Sequence, residues 1–297
     1  MSIQTYVANI TAFNEDESLN IEAYEKLVMR QLKYGNSIFC NGTNGEFFSL
    51  TKEEKLKVVS IAAKAVNNFN NIITNIGCIS TYETIDLGME VKKLGVEKVA
   101  VISPWLVKCS QDVIFEHYKR IANALEMPVY IYNIPNLTGN SIEIDTIEKL
   151  INETKYIVGM KDSSGDNNFF SSCVKLANKY NHFTVYAGTD SFIYEGLNSG
   201  AKGCVSGLCN LVPNLVKEVR ENFVNNNLEK ASEAQNKIIA LRNDIVAAGN
   251  LPNIVKTLMF IMNSKIGKLR LPKTLEGEEI YSKLKSIIDK HCLELKL

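Results

Sequence analysis

The chain lacks an excess of charge of either sign: 33 lysines and arginines stand against 33 aspartates and glutamates in 297 residues. That balance argues against the basic surface of a nucleic-acid-binding protein and gives no general attraction to an anionic membrane. Long apolar runs are missing too. None approaches the ~20 residues of a bilayer span, and the N-terminus has no basic start followed by an apolar stretch, so no secretory signal is expected. Histidine is scarce. His117, His182 and His291 show no metal-ligand spacing, which makes a zinc site unexpected, although carboxylate-bound magnesium stays compatible with the composition. Seven scattered cysteines (Cys40, Cys78, Cys109, Cys173, Cys204, Cys209 and Cys292) form no CxxC pair. An odd, unpatterned set fits reduced thiols packed as small core residues in a cytoplasmic protein. There is no serine-, glycine- or proline-rich linker and no low-complexity segment.

What is present is a repeat of strand and helix. Apolar residues make up 45% of the chain and charged ones 22%, the balance of a globular domain with a sizeable core. Eight short runs rich in β-branched residues read as strands: Tyr6 to Phe13, Ser37 to Thr43, Asn71 to Cys78, Lys98 to Pro104, Val129 to Pro135, Tyr156 to Ser163, Phe183 to Gly188 and Gly203 to Gly207. Seven are continuously apolar rather than alternating, as strands of a parallel sheet covered on both faces are. Amphipathic segments fill the gaps. Thr51-Lys52-Glu53-Glu54 opens one with a capping box; others start at Thr81 and Ser110 or run from Glu143 to Thr154. The strand ends recur about every 30 residues until a shorter last interval, which favours a (β/α)₈ TIM barrel. An open doubly wound sheet is the alternative, but it usually carries a glycine-rich loop after its first strand, and Thr11-Ala12-Phe13-Asn14 has no glycine. Residues 1–226 are read as the barrel, its last helix spanning Val212 to Asn226. Residues 227–297 are read as a C-terminal appendage of about three helices, with Pro252 and Leu271-Pro272 breaking the pattern.

A barrel carries its chemistry at the C-terminal ends of its strands. The sixth strand ends in Val158-Gly159-Met160-Lys161-Asp162. A lysine closing a buried-looking run is an odd place for a surface charge. It suits an amine that works uncharged, because desolvation disfavours an ammonium and a neutral amine attacks a ketone to form a Schiff base. A lysine that snorkels to solvent is the bland alternative. The fifth strand brings Tyr130 and Tyr132 to one face, and a strand-end tyrosine can shuttle a proton or simply pack. After the second strand, Gly42-Thr43-Asn44-Gly45-Glu46 can turn backbone N–H groups, a hydroxyl and an amide toward a carboxylate, or be a plain turn. It is too short for a P-loop and no Gly-Lys-Ser/Thr follows. In the seventh loop Gly188 leaves room for a ligand while Thr189, Asp190 and Ser191 offer hydrogen bonds, although Asp190 or Ser191 can equally cap a helix. The eighth contributes Ser206 within a wall of small residues.

Three of these motifs, Gly42-Thr43-Asn44-Gly45-Glu46, Tyr132-Asn133-Ile134-Pro135 with Thr138-Gly139, and Gly159-Met160-Lys161-Asp162, resemble in order and spacing those of the dihydrodipicolinate synthase/N-acetylneuraminate lyase family, from about Thr11 to the C-terminal helices. The resemblance implies a TIM barrel, a Schiff-base lysine at Lys161, a catalytic tyrosine at Tyr132, and carboxylate binding by Thr43 and Asn44. It implies pyruvate as substrate or product, class I aldolase chemistry that needs no metal or other cofactor, and commonly a homotetramer.

Departures bear on the second substrate. The synthase branch resembles Tyr-Asn-x-Pro-x-Arg-Thr-Gly, whose arginine binds the carboxylate of aspartate semialdehyde; here Leu137 fills that slot and cannot make a bidentate pair. The synthases also tend to have Pro-Tyr-Tyr after the fourth strand, where this chain has Pro104-Trp105-Leu106. Lys108 is a nearby cation able to compensate. Asn44 and the stretch Gly159-Met160-Lys161-Asp162-Ser163-Ser164-Gly165-Asp166 look like 4-hydroxy-2-oxoglutarate aldolases, and Leu137 looks like N-acetylneuraminate lyases and 2-keto-3-deoxygluconate aldolases, whereas Ser191 after Asp190 departs from the lyases, which usually have an acidic residue there. The expected reaction is therefore cleavage of a 2-keto-3-deoxy sugar acid or similar 4-hydroxy-2-oxo acid to pyruvate and an aldehyde, with Ser163, Gly188, Thr189, Asp190 and Ser206 facing the distal part of the substrate. Synthesis of 4-hydroxy-tetrahydrodipicolinate, sialic acid cleavage and an inactive ligand-binding barrel are the alternatives.

Overall fold

The computed structural model describes residues 3–66, 69–272 and 277–297. Eight parallel strands, β1 (Gln4–Ala8), β2 (Ser37–Cys40), β3 (Ile72–Asn75), β4 (Val99–Ile102), β5 (Val129–Asn133), β6 (Ile157–Asp162), β7 (Thr184–Ala187) and β8 (Gly203–Ser206), pair in chain order and close into a barrel. Closure is made by β1 on β8, with Gln4 opposite Gly203 and Val7 opposite Ser206. Every expected strand is present. Most end two to five residues before the apolar run does, because the remaining residues leave the ladder while staying buried. Ile10, Ala12 and Phe13, for instance, lie beyond β1 yet are almost wholly inaccessible.

Around the strands run α1 (Ile21–Lys33), α2 (Lys52–Ala65), α3 (Thr81–Lys93), α4 (Gln111–Leu125), the single turn α5 (Pro135–Thr138), α6 (Ile144–Glu153), α7 (Asn167–Lys179), α8 (Ile193–Ser199) and α9 (Pro213–Val224). Their starts follow local chemistry. Thr51 and Glu54 form the expected capping box on α2, a cap whose removal typically costs about 1 kcal/mol. Ser80, Ser110 and Asp166 accept from the first-turn N–H groups of α3, α4 and α7. The short last interval in the sequence is explained by α8, which has only seven residues.

Three further helices follow: α10 (Leu228–Ala248), α11 (Leu251–Met262) and α12 (Glu278–Lys290). Pro252 does not break a helix but sits in the first turn of α11, where its missing N–H has no partner to lose. One apolar cluster joins the outer faces of the strands to the ring helices and continues through Ile238, Leu241, Ile254 and Leu258 of the C-terminal helices. A second, smaller cluster fills the barrel itself with Tyr6, Phe39, Ile73, Ile102, Tyr132, Tyr186 and Val205 among others. No single helix among the described residues is long and apolar enough to cross a membrane.

Candidate active site

Lys161 is the fifth residue of β6, paired in register with Tyr132 on β5 and Tyr186 on β7. Alternation sends Met160 and Asp162 outward and Lys161 into the barrel. The residue is 5% exposed. Its Nζ stands 3.8 Å from the centroid of the Tyr132 ring and 4.9 Å from that of Phe39, which reaches in from β2. No carboxylate lies within ion-pair distance of it among the described residues. The amine is thus supported by aromatic faces, which attract a cation only weakly compared with a carboxylate, and is left available to react.

Tyr132 is buried, packed edge-on to Phe39 at 5.8 Å. Its hydroxyl is 3.0 Å from Thr43 Oγ1. Two of the residues singled out in the sequence, 89 positions apart, therefore share a hydrogen bond at the barrel mouth. Thr43 stands in a tight turn: the Gly45 N–H donates to Gly42 O at 3.0 Å, the Glu46 N–H donates to Thr43 O at 3.2 Å, and Thr11 Oγ1 donates to Gly45 O at 2.7 Å. Asn44 is half-buried, its amide against Gly207. Its Oδ1 is buried with no hydrogen-bond partner among the described residues, a costly state unless a ligand or water supplies one.

The other expected contacts divide. Ser163 donates from Oγ to Gly188 O at 3.2 Å. A Cβ on Gly188 would lie 2.1 Å from that Oγ, so the missing side chain makes room for Ser163. Asp190 and Ser206 are turned to each other: the Ser206 hydroxyl donates to Asp190 Oδ1, and the Gly207 and Leu208 N–H groups donate to the same carboxylate at 3.2 to 3.3 Å. Burial pushes the Asp190 carboxyl up while these donors pull it down. The pair ties the seventh loop to the eighth and offers its polar atoms to neighbours, not to the mouth. Thr189 is half-buried beside them.

Some residues escaped the sequence reading. Asn133 donates from Nδ2 to Asp162 Oδ1 at 2.8 Å, and Ser164 donates to the same carboxyl from both N–H and Oγ; burial nevertheless pushes Asp162 up. This buried pair fixes β5 against β6 just where Tyr132 and Lys161 sit side by side. Phe39, below Lys161, could have been found by alternation along the second strand. Leu137 is 53% exposed on α5, and Lys108 Nζ donates to Gly139 O at 3.3 Å, which brings a cation to the same turn. Among the described residues no group of three or more His, Cys, Asp or Glu side chains is arranged around a metal position.

A closed (β/α)₈ barrel with a buried, carboxylate-free lysine beside a tyrosine at the strand C-termini is an arrangement suited to class I aldolase chemistry. The particular family follows from comparison with known proteins. The model of the dihydrodipicolinate synthetase family matches residues 2–291, and the chain belongs to that family of pyruvate-dependent lyases and synthases. It is 33% identical over 291 residues to a 4-hydroxy-tetrahydrodipicolinate synthase of Campylobacter hominis, covering 97% of this chain and 96% of that one. It is 31% identical over 281 residues to an uncharacterized DapA-like lyase of Pyrococcus horikoshii, covering 94% and 97%. Among solved structures, the dihydrodipicolinate synthase of Acinetobacter baumannii complexed with pyruvate superposes with a TM-score of 0.91 at 30% identity, covering 99% of this chain and all of that one. These relatives carry the names of synthases and of a DapA-like lyase, so the likeness to sugar-acid aldolases rests on the motif residues alone.

Proposed function

We propose that Lys161 is the Schiff-base lysine, Tyr132 the proton carrier and Thr43 with Asn44 the carboxylate site of a lyase that cleaves a 4-hydroxy-2-oxo acid to pyruvate and an aldehyde. The observation that carries this reading is the junction of Lys161 over the Tyr132 ring with the Tyr132 hydroxyl on Thr43. The Lys161 amine adds to the C2 carbonyl and water leaves, forming an iminium. Tyr132 takes the proton of the C4 hydroxyl, the C3–C4 bond breaks, and its electron pair moves into the iminium to give an enamine and free aldehyde. Protonation at C3 and hydrolysis return pyruvate and the amine. The unpaired Asn44 Oδ1 is free to accept from a substrate hydroxyl, while the turn N–H groups and the Thr43 hydroxyl suit a carboxylate.

The direction and the aldehyde half separate two readings. Leu137 supports cleavage of a substrate with no carboxylate at its distal end. The synthase reading is favoured by the names of the relatives and by Lys108 at the Gly139 turn. Borohydride reduction in the presence of pyruvate, followed by peptide mass mapping, tests the shared intermediate: an adduct on Lys161 is expected, and no adduct at saturating pyruvate sinks both readings. A panel of 4-hydroxy-2-oxo acids beside pyruvate plus aspartate semialdehyde then separates them; efficient turnover of the semialdehyde alone would assign the synthase. Assembly into a homotetramer belongs to the same reading. Exposed apolar side chains at Ile79, Leu106, Val107 and Val113 offer a surface that self-association would cover, and sedimentation in solution tests it.

A further inference from the structure

Lys256 is the second lysine that this sequence sets inside an apolar run. It is the one charged residue of α11, Leu-Pro-Asn-Ile-Val-Lys-Thr-Leu-Met-Phe-Ile-Met, and it is fully buried. Its Nζ donates to Glu46 Oε1 at 2.5 Å and lies 3.9 Å from the centroid of the Phe13 ring. The other Glu46 oxygen accepts from the backbone N–H of Arg270 at 3.0 Å. Glu46 closes the Gly42–Glu46 turn, only three residues from Thr43, and its own N–H returns to Thr43 O. Its φ of 54° and ψ of 38° are left-handed, a conformation that costs a non-glycine residue about 1 kcal/mol or more and persists only where surrounding contacts over-determine it.

Stability alone gives little reason for such an arrangement. The desolvation of a buried ion pair cancels most of its Coulomb gain, and apolar residues of similar volume often serve as well. What a buried pair adds is a single permitted geometry. Here that geometry joins the C-terminal helices to the turn bearing Thr43 and Asn44, from 210 positions along the chain.

We propose that the Glu46–Lys256 pair, completed by the Arg270 N–H, is a positioning device for the substrate-carboxylate turn. The helices after the barrel set where Thr43 and Asn44 stand relative to Lys161 and Tyr132. Glu46 and Lys256 are positioning residues and touch no reacting atom. The inference rests on the reading of that turn as the carboxylate site, so its test keeps the two apart.

The experiment follows borohydride trapping of pyruvate on Lys161 as pyruvate is titrated, together with kcat and KM for cleavage. The variant is the double substitution Glu46→Gln with Lys256→Met, which removes both charges and leaves no buried ion uncompensated. The expected result is a folded protein that still reaches full trapping, with half-saturating pyruvate and KM raised about tenfold or more, since small misplacement of a binding group has effects of that size. A folded double variant with the half-saturation and KM of the wild type overturns the proposal. Should the double variant not fold, Arg270→Ala decides. That side chain holds its segment to Ser49 O at 2.8 Å and to Glu54 at 2.7 Å and is only partly buried. A few-fold rise in half-saturation at an unchanged trapping maximum supports the device, and no change overturns it. No adduct on the wild-type protein would instead sink the Schiff-base reading on which the proposal stands.

Discussion

Lys161 Nζ stands 3.8 Å from the centre of the Tyr132 ring, while the hydroxyl of that ring reaches 3.0 Å to Thr43 Oγ1. One side chain thus meets the amine with its face and the carboxylate turn with its tip. The two functions separate in Tyr132→Phe, which keeps the ring and removes the proton carrier. Borohydride trapping of pyruvate should survive, and pyruvate release should fall about 10²- to 10⁴-fold, the usual worth of a positioned acid–base group. A variant that cleaves at the wild-type rate would take Tyr132 out of the chemistry.

Thr43→Val tests the other end of that hydrogen bond. Valine fills nearly the same space but leaves the buried Tyr132 hydroxyl without this partner. An unmet buried hydrogen bond costs about 1–3 kcal/mol. The variant should lose turnover roughly tenfold and raise the half-saturating pyruvate concentration together, because Thr43 is placed to serve both proton carrier and carboxylate. A change confined to thermal stability would leave Thr43 as a packing residue only.

Leu137 and Lys108 carry the choice of second substrate. Leu137 is half out in solvent on α5, and Lys108 is bound to Gly139 O two residues further on. Under the lyase reading, Leu137→Arg should create condensation with aspartate semialdehyde where the wild type has little. Under the synthase reading, Lys108→Ala should abolish an activity the wild type already has. Initial rates of product formation from pyruvate plus the semialdehyde in the three proteins distinguish the outcomes.

The sequence made the barrel legible because strands buried on both faces leave continuous apolar runs, and seven of the eight strands were visible as such. It did not show where the ladder stops. Ile10, Ala12 and Phe13 are as apolar as the strand before them, but they leave the sheet to pack beneath the C-terminal segment, where Phe13 N–H donates to Ile266 O. At the site, Lys161, Tyr132 and Thr43 stood out because each was polar at a strand end, and the structure brings Tyr132 against both of the others. The same criterion also selected Asp190 and Ser206, which bind one another. Residue type cannot distinguish a hydroxyl held for a substrate from one satisfied by a neighbouring loop. Glu46 entered only as the end of a motif and Lys256 was not singled out, because their meeting depends on α11 packing against the Gly42–Glu46 turn from 210 positions along the chain.

His117 predicts a pH dependence of stability. It is buried on α4, with Nδ1 2.8 Å from Thr81 Oγ1 and Nε2 without a partner among the described residues. Burial lowers its pKa from 6.5 to about 4. Between those values the unfolded chain binds a proton that the folded protein does not, so stability should fall as pH drops from about 6.5 toward 4. The full difference amounts to about 3 kcal/mol. Denaturant midpoints across that window should slope for the wild type and flatten for His117→Gln. Parallel slopes would assign the dependence to other groups.

Gly188→Ala tests whether the seventh loop is built for a ligand or for its own packing. The added Cβ would meet Ser163 Oγ at 2.1 Å and Asp162 O at 2.6 Å. The first atom belongs to a side chain that can rotate away. The second is backbone, and it already accepts from the Gly188 N–H at 2.7 Å. The variant should therefore lose about 1–3 kcal/mol of stability, as overpacked sites do, and Gly188→Ala with Ser163→Ala should recover only part of the loss. Full recovery in the double variant would mean that Ser163 alone excludes a side chain at position 188. Because β6 carries Lys161 one residue before Asp162, displacement of Asp162 O by the new Cβ should also slow borohydride trapping of pyruvate. A destabilised variant with unchanged trapping would show that the strand end absorbs the strain without moving the amine.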